Sequence, residues 1–234
     1  MGEITADNIK WYQCETWTEG GAHGGAVDTG NEITSGASNA VFDDVSNAER
    51  VAGDTEYRKV FIRNENAGDW PNPLAWIESQ TPASNSAITI LQGGSKSRQE
   101  QDSAPLSGTF TFAASTTVLA TNDVSLEVRP GEKIFNSTND SNSDAKVVSA
   151  VSADGLTITL AEAYAGTAGA SKEAKLAPIT GCTFVAPDSS IHADVLAFPT
   201  LAQNESVAIW IKRVISAGGS GYTGDTFELQ VEQS

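Results

Sequence analysis

What most limits the fold open to this chain is a series of short apolar runs with two-residue alternation, each closed by glycine, proline or aspartate. Near the C-terminal end Phe227, Leu229 and Val231 fall on one side while Glu228, Gln230 and Glu232 fall on the other, as in a strand with one buried and one wetted face. In residues 56–63, Tyr57, Lys59, Phe61 and Arg63 share one side and Arg58, Val60 and Ile62 the other, which suits a strand better than a helix. Residues 74–80 are bounded by Pro71, Pro73 and Pro82, residues 87–91 stop at Gly93-Gly94, and residues 207–214 run into a glycine-rich turn; all three read as punctuated strands. The expectation is an all-β fold, an antiparallel β-sandwich of immunoglobulin-like or jelly-roll-like kind, with strands before residue 100 and after residue 190 as its two parts. Ser46 followed by Glu49 is a capping-box pattern, but Gly53 comes too soon for more than a single helical turn.

Between these parts the composition changes. Residues 124–128, 133–135, 146–151 and 156–160 are β-like runs separated by Pro130-Gly131, a polar stretch and Asp154-Gly155, and residues 147–160 read as the clearest hairpin. Four such runs suit a small β-barrel inserted in a loop of the sandwich, where insertion is well tolerated. The expected division is a discontinuous sandwich over residues 1–107 and 181–234, with an inserted domain over 108–180. Residues 136–144, NSTNDSNSD, read as a polar low-complexity loop.

Charge narrows the partners. With 30 acidic against 14 basic residues the chain carries a formal charge of −16, which repels a phosphate backbone and an anionic membrane surface. Its longest apolar run, around residues 207–215, contains Lys212 and Arg213 and falls far short of the roughly 20 residues that cross a bilayer. No basic segment leading into an apolar stretch opens the chain, so a cytosolic product is expected. Cys14 and Cys182 are too few for a disulfide framework and lack paired zinc-site spacing. Both are read as reduced thiols, with a single long-range disulfide as the alternative.

The chemistry-bearing residues are sparse. Nucleophilic catalysis needs a base beside the nucleophile and a group that orients it, and only His23 and His192 offer an imidazole. His23 lies in a glycine-flanked segment and His192 in a serine-rich connector, so both are read as exposed loop histidines. Phosphate-loop, dinucleotide and metalloprotease motifs are missing. Asp43 and Asp44 are adjacent and would point apart on a strand, so a turn or capping role is expected rather than a glycosidase pair. Asp140 and Asp144, with their neighbouring asparagines, could supply oxygen ligands to calcium but lack the EF-hand order; a solvated loop is the preferred reading. The expectation is therefore no catalytic residue, no cofactor and no metal. Of the five tryptophans, Trp76 and Trp210 lie mid-strand and are expected in the core, whereas Trp11, Trp17 and Trp70 are candidates for an interface or a sugar platform. Protein contact is favoured for them.

Several separated stretches resemble a family of virion structural proteins of tailed bacteriophages: residues 39–50 (NAVFDDVSNAER), 53–64 (GDTEYRKVFIRN), 75–77 (AWI) with Thr81-Pro82, 208–213 (AIWIKR) and 226–229 (TFEL). The resemblance spans the expected sandwich and departs at the insertion. It implies a non-enzymatic virion component assembled in the host bacterial cytoplasm, with other capsid, neck or tail proteins, and copies of itself, as partners. A decoration or accessory protein is the first expectation, a tail tube, ring or baseplate component the second, and a host-glycan-binding module the third.

Overall fold

A computed structural model describes residues 4–19, 22–94, 98–187, 195–219 and 226–233. The strands in chain order are β1 (Ile9–Thr16), β2 (Gly24–Glu32), β3 (Asp54–Asn64), β4 (Pro73–Ser79), β5 (Ser86–Gly93), β6 (Arg98–Gln99), β7 (Ala104–Pro105), β8 (Phe110–Phe112), β9 (Thr117–Ala120), β10 (Lys133–Asn136), β11 (Lys146–Val151), β12 (Thr157–Leu160), β13 (Gly169–Lys172), β14 (Ala174–Leu176), β15 (Leu196–Ala197), β16 (Ser206–Ile215) and β17 (Glu228–Gln233). Among the described residues one α-helix, α1 (Asn47–Ala52), lies between β2 and β3. The fold is nearly all β, and its sheets are antiparallel.

A six-stranded sheet in the order β5-β16-β3-β1-β2-β6 packs against a smaller one in the order β15-β4-β17. Between them Val60 and Ile62 of β3, Ile88 and Ile90 of β5, and Val207, Ile209 and Ile211 of β16 meet Ala75 and Ile77 of β4. Leu229 and Val231 of β17 cover this core from the half-buried side, as the alternation of that strand dictates. The opposite face of the large sheet is closed as well: Tyr57, Leu91 and Trp210 pack with Ile179, Cys182 and Phe184. Both sides of β3 are thus buried, which explains why it carries apolar or aromatic residues on each face, Val60 and Ile62 on one and Tyr57 and Phe61 on the other. Trp76 and Trp210 are core residues, 3% and 1% exposed.

The inserted region has its own core. Phe110, Phe112, Val118, Ile134, Val148, Ile158, Leu160, Tyr164 and Leu176 form a cluster separate from that of the sandwich, inside a sheet ordered β13-β8-β9-β12-β11-β10-β14-β7. This sheet curls into a half-barrel and its terminal strands do not pair; β7 is only two residues long and contains Pro105, which has no N–H to give. The hairpin read from residues 147–160 is β11–β12. Residues 124–128, expected as a strand, instead form a helical turn in which the carbonyl of Val124 accepts from the N–H groups of Glu127 and Val128. The alternation there was too short to separate the two.

The polar stretch after β10 is tied down rather than loose. The Tyr164 hydroxyl donates to Asp140 Oδ2 at 2.7 Å and accepts from the Asn136 N–H at 2.9 Å, while Thr167 donates from both N–H and hydroxyl to the same carboxylate. Burial pushes the Asp140 carboxyl up, but the hydrogen bonds from Thr167 and Tyr164 outweigh it and hold the pKa below the usual range. Asp140 therefore serves as the loop's internal acceptor, and Asn136 is wholly buried with its amide on the Thr167 carbonyl.

Candidate functional site

Of the three tryptophans expected at a surface, Trp70 is not there. It is 2% exposed and belongs to the sandwich core. Its backbone exchanges hydrogen bonds with Leu201 at 2.8 and 2.9 Å, and that bridge turns the indole inward although Asp69 and Pro71 mark the segment as a loop. Trp11 is half-buried on β1 against the same core. Trp17, just past β1, is also half-buried and borders an open groove of about 360 Å3.

The groove leads into a knot of charge at one end of the sandwich. On β3 and β16 the register sets Glu56 directly opposite Arg213 and Arg58 opposite Ile211, so both arginines emerge on the apolar face at its rim. Arg213 Nε donates to Glu56 and Arg213 Nη1 to the Asp43 carbonyl at 3.0 Å. Arg58 donates to the Val41 carbonyl from Nε at 3.0 Å and to Glu19 from Nη2. Phe42 lies between the two guanidiniums, 4.5 Å from Arg213 and 5.2 Å from Arg58, a doubled cation–π contact in a partly desolvated place. These bonds fasten the long connection between β2 and α1 to the sheet.

Four carboxylates gather around the two arginines. Glu19, Glu49 and Glu56 each bring an oxygen within 4.8 Å of the others, and Asp43 stands 3.5 Å from Arg213. Partial burial, then the hydrogen bond and repulsion of Asp43, raise the Glu19 pKa. Each glutamate has an internal partner: Glu19 has Arg58, Glu56 has Arg213, and Glu49 accepts from the Ser46 N–H as half of the capping box that starts α1. Glu19 and Glu56 therefore serve as counter-ions to the two arginines, and Glu49 as the helix cap. Asp43 is neither a strand residue nor a helix cap; it lends its carbonyl and its charge to Arg213.

The histidine readings divide. His192 falls outside the described residues. His23, expected exposed, is wholly buried. Its Nε2 accepts the Lys59 N–H at 2.8 Å, its Nδ1 faces the Thr18 carbonyl at 3.0 Å, and its ring meets Trp17 edge-on at 5.1 Å. Burial, with Arg58 and Lys59 nearby, lowers its pKa to about 4. Cys14 Sγ is 3.4 Å from Nε2, yet the lone pair there is already taken by Lys59, and burial raises the thiol pKa to about 11. A thiol so placed is not an activated nucleophile. Cys14 and Cys182 are both free thiols.

A second polar network joins insert to sandwich. Arg98 of β6 donates to Glu132 at 2.5 Å and to the Ala177 carbonyl at 2.7 Å. Glu132 also accepts the Arg129 N–H, and Arg129 reaches the sandwich through Gln92 and the Ala197 carbonyl. The approach is close: a Cβ on Gly94 would stand 2.0 Å from the Glu127 carbonyl, and one on Gly131 would stand 2.4 Å from Leu91. Pattern reading could not find these residues, because their partners lie far away in sequence.

No protein-family model, curated protein or solved structure matches this chain. No helix among the described residues is long and apolar enough to cross a membrane.

Proposed function

We propose that this chain is a structural component of a tailed-bacteriophage virion, a decoration or accessory protein that docks through the sandwich on a capsid, neck or tail scaffold while the insert projects. The observation that carries this reading is the convergence of the stretches resembling that family. Phe42, Asp43 and Glu49 come from the first, Glu56 and Arg58 from the second, and Arg213 from the fourth, and they meet in the one knot at the sandwich rim. Phe227, of the last stretch, packs on Phe42 at 6.1 Å. What looks like separate packing motifs in the sequence is one assembled feature. The closed joint at Arg98, Glu132 and Arg129 suits a part that must hold its shape within a particle, because buried, fully bonded networks resist rearrangement.

The test is location. Purified protein should co-sediment with particles assembled without it, and imaging of those particles should place the chain at a repeated position; a chain that stays in the supernatant of such particles contradicts the reading. The ring or tube reading has one observation in its favour: among the described residues, β17 pairs on one side only, with β4. An open edge can accept a strand from a neighbour and propagate a ring. Exposed Glu228 and Glu232 on that strand disfavour pairing with a second copy. Light scattering of the isolated chain should thus report a low-order species, and closed rings would favour the ring reading instead.

A further inference from the structure

The groove beside Trp17 has properties that fastening the loop does not require. The indole is held by the sandwich cores beneath it and by His23 at its edge, so ligand binding would cost it little freedom. Around it stand donors, Arg58, Asn39 and Thr18, and acceptors, Glu19 and Asp43. Arg58 is fixed by bonds to the Val41 and Tyr57 carbonyls, whereas the Glu19 and Asp43 side chains are 54% and 49% exposed and open to a partner.

Charge selects among ligand classes. An anion would meet two carboxylates against one guanidinium, on a chain of net charge −16. A cation would be drawn to the indole, but the positive charge of the chain's own Arg58, 6.0 Å from the centre of the Trp17 ring, repels it. What remains is a neutral molecule with an apolar face and a rim of hydroxyls that both give and take hydrogen bonds. A groove of about 360 Å3 is at the small end of ligand sites, which run from roughly 300 to 1,000 Å3. We infer that the Trp17 groove binds a neutral saccharide unit, the indole against the C–H face of the sugar ring and Glu19, Asn39, Asp43 and Arg58 on its hydroxyls. This inference does not rest on the virion reading, and either can fail alone.

The experiment is a glycan array carrying neutral oligomers of glucose, galactose, mannose and N-acetylhexosamine beside sialylated and uronate-bearing chains. The strongest neutral hit is then titrated by tryptophan fluorescence. Saturable binding to a neutral glycan is expected, with anionic glycans bound more weakly. Trp17→Ala should weaken it about tenfold, the loss of one well-placed aromatic contact. Because Trp17 also touches the core, Glu19→Gln serves as the second variant. That side chain is half exposed and the glutamine oxygen can still accept from Arg58, so the melting temperature should fall by no more than a few degrees while affinity falls several-fold, about the effect of one charge-assisted hydrogen bond. An array without a neutral hit, a preference for anionic glycans, or a hit whose affinity neither variant changes overturns the inference.

Discussion

Two arginine–glutamate networks brace this protein, one at the joint between insert and sandwich and one at the sandwich rim, and they differ in how they meet water. At the joint the Arg98 and Glu132 side chains are 2% and 1% exposed, and the terminal nitrogens of Arg98 go to Glu132 and the Ala177 carbonyl. At the rim Arg58 and Arg213 are as deeply placed, but Glu19 and Asp43 are half in solvent and carboxylates outnumber guanidiniums. A closed network can only fasten. An open one fastens and also leaves hydrogen-bonding groups facing outward, so the rim is the place in this pair where recognition is possible.

The largest effect should come from breaking the joint. Glu132→Ala leaves Arg98 buried without its counter-ion, and a loss of about 3–5 kcal/mol is expected in urea or thermal unfolding. The insert has its own core, so unfolding should then split into two transitions as the two units separate. The double variant Arg98→Met with Glu132→Leu removes both charges and should recover most of the loss. A single variant that melts like the parent would show that apolar contact alone, around Ile179 and Phe184, holds the units together.

Acid provides the next largest effect, and it acts on the joint's side of the sheet, where His23 and Arg98 both lie against Trp210. The folded state holds His23 neutral, with its pKa lowered from 6.5 to about 4. Above pH 6.5 neither state takes the proton and the full stability is present. As pH falls from 6.5 towards 4 the unfolded chain is protonated first, so stability is lost, by up to about 3 kcal/mol from this group. His23→Gln keeps an acceptor for the Lys59 N–H and lacks the titration. Its unfolding free energy should therefore be flatter over that window, and parallel pH profiles for parent and variant would refute the assignment.

The strands were legible because alternation and punctuation are local: β3, β4, β5, β16 and β17 fall where the patterns placed them, and so does the capped turn α1. The apolar residues gather in separate cores, but Ala104 and Leu106, placed with the sandwich by the expected boundary at 107, pack in the core of the insert, and β7 pairs with β14. What the sequence hid is burial decided by distant partners. Lys59 is 1% exposed, bonded to the Gly25 carbonyl and lying 5.5 Å from the Trp210 ring, and no periodicity announces a buried lysine on a strand. Trp70 and His23 sit in segments with loop composition, yet the backbone bonds of Trp70 to Leu201 and the bond from the Lys59 N–H to the His23 ring draw them inside. Trp17 was legible as a surface aromatic, but its polar surroundings come from the Asn39–Asp43 connection and from β3, a juxtaposition set by tertiary packing.

The rim should yield less to mutation than the joint. In Glu56→Ala, Arg213 keeps the Asp43 carbonyl and carboxylate nearby, and water can reach the rim, so a loss of about 2 kcal/mol is expected. Salt sharpens the contrast: at 1 M, where the screening length is about 3 Å, the cost of Glu56→Ala should shrink while that of Glu132→Ala stays. Equal costs with equal salt dependence would erase the distinction between an open and a closed network.

The smallest expected effect isolates how α1 contributes to the rim. A six-residue helix has little stability of its own, and α1 is held by the reciprocal bonds of Ser46 and Glu49 and by Arg50, whose side chain reaches the Gly219 carbonyl. Ser46→Ala removes the side-chain half of the capping box and should cost about 1 kcal/mol. Ser46→Asp retains an acceptor at the helix start and should cost less. Because the Ser46 N–H still holds Glu49, the carboxylate stays beside Glu19 and Glu56, and the transition of the insert should not move. A loss well beyond that figure, or a shift in the insert's unfolding, would mean that the helix start is coupled through the rim to the whole sheet, and the rim would then belong with the joint as a closed brace.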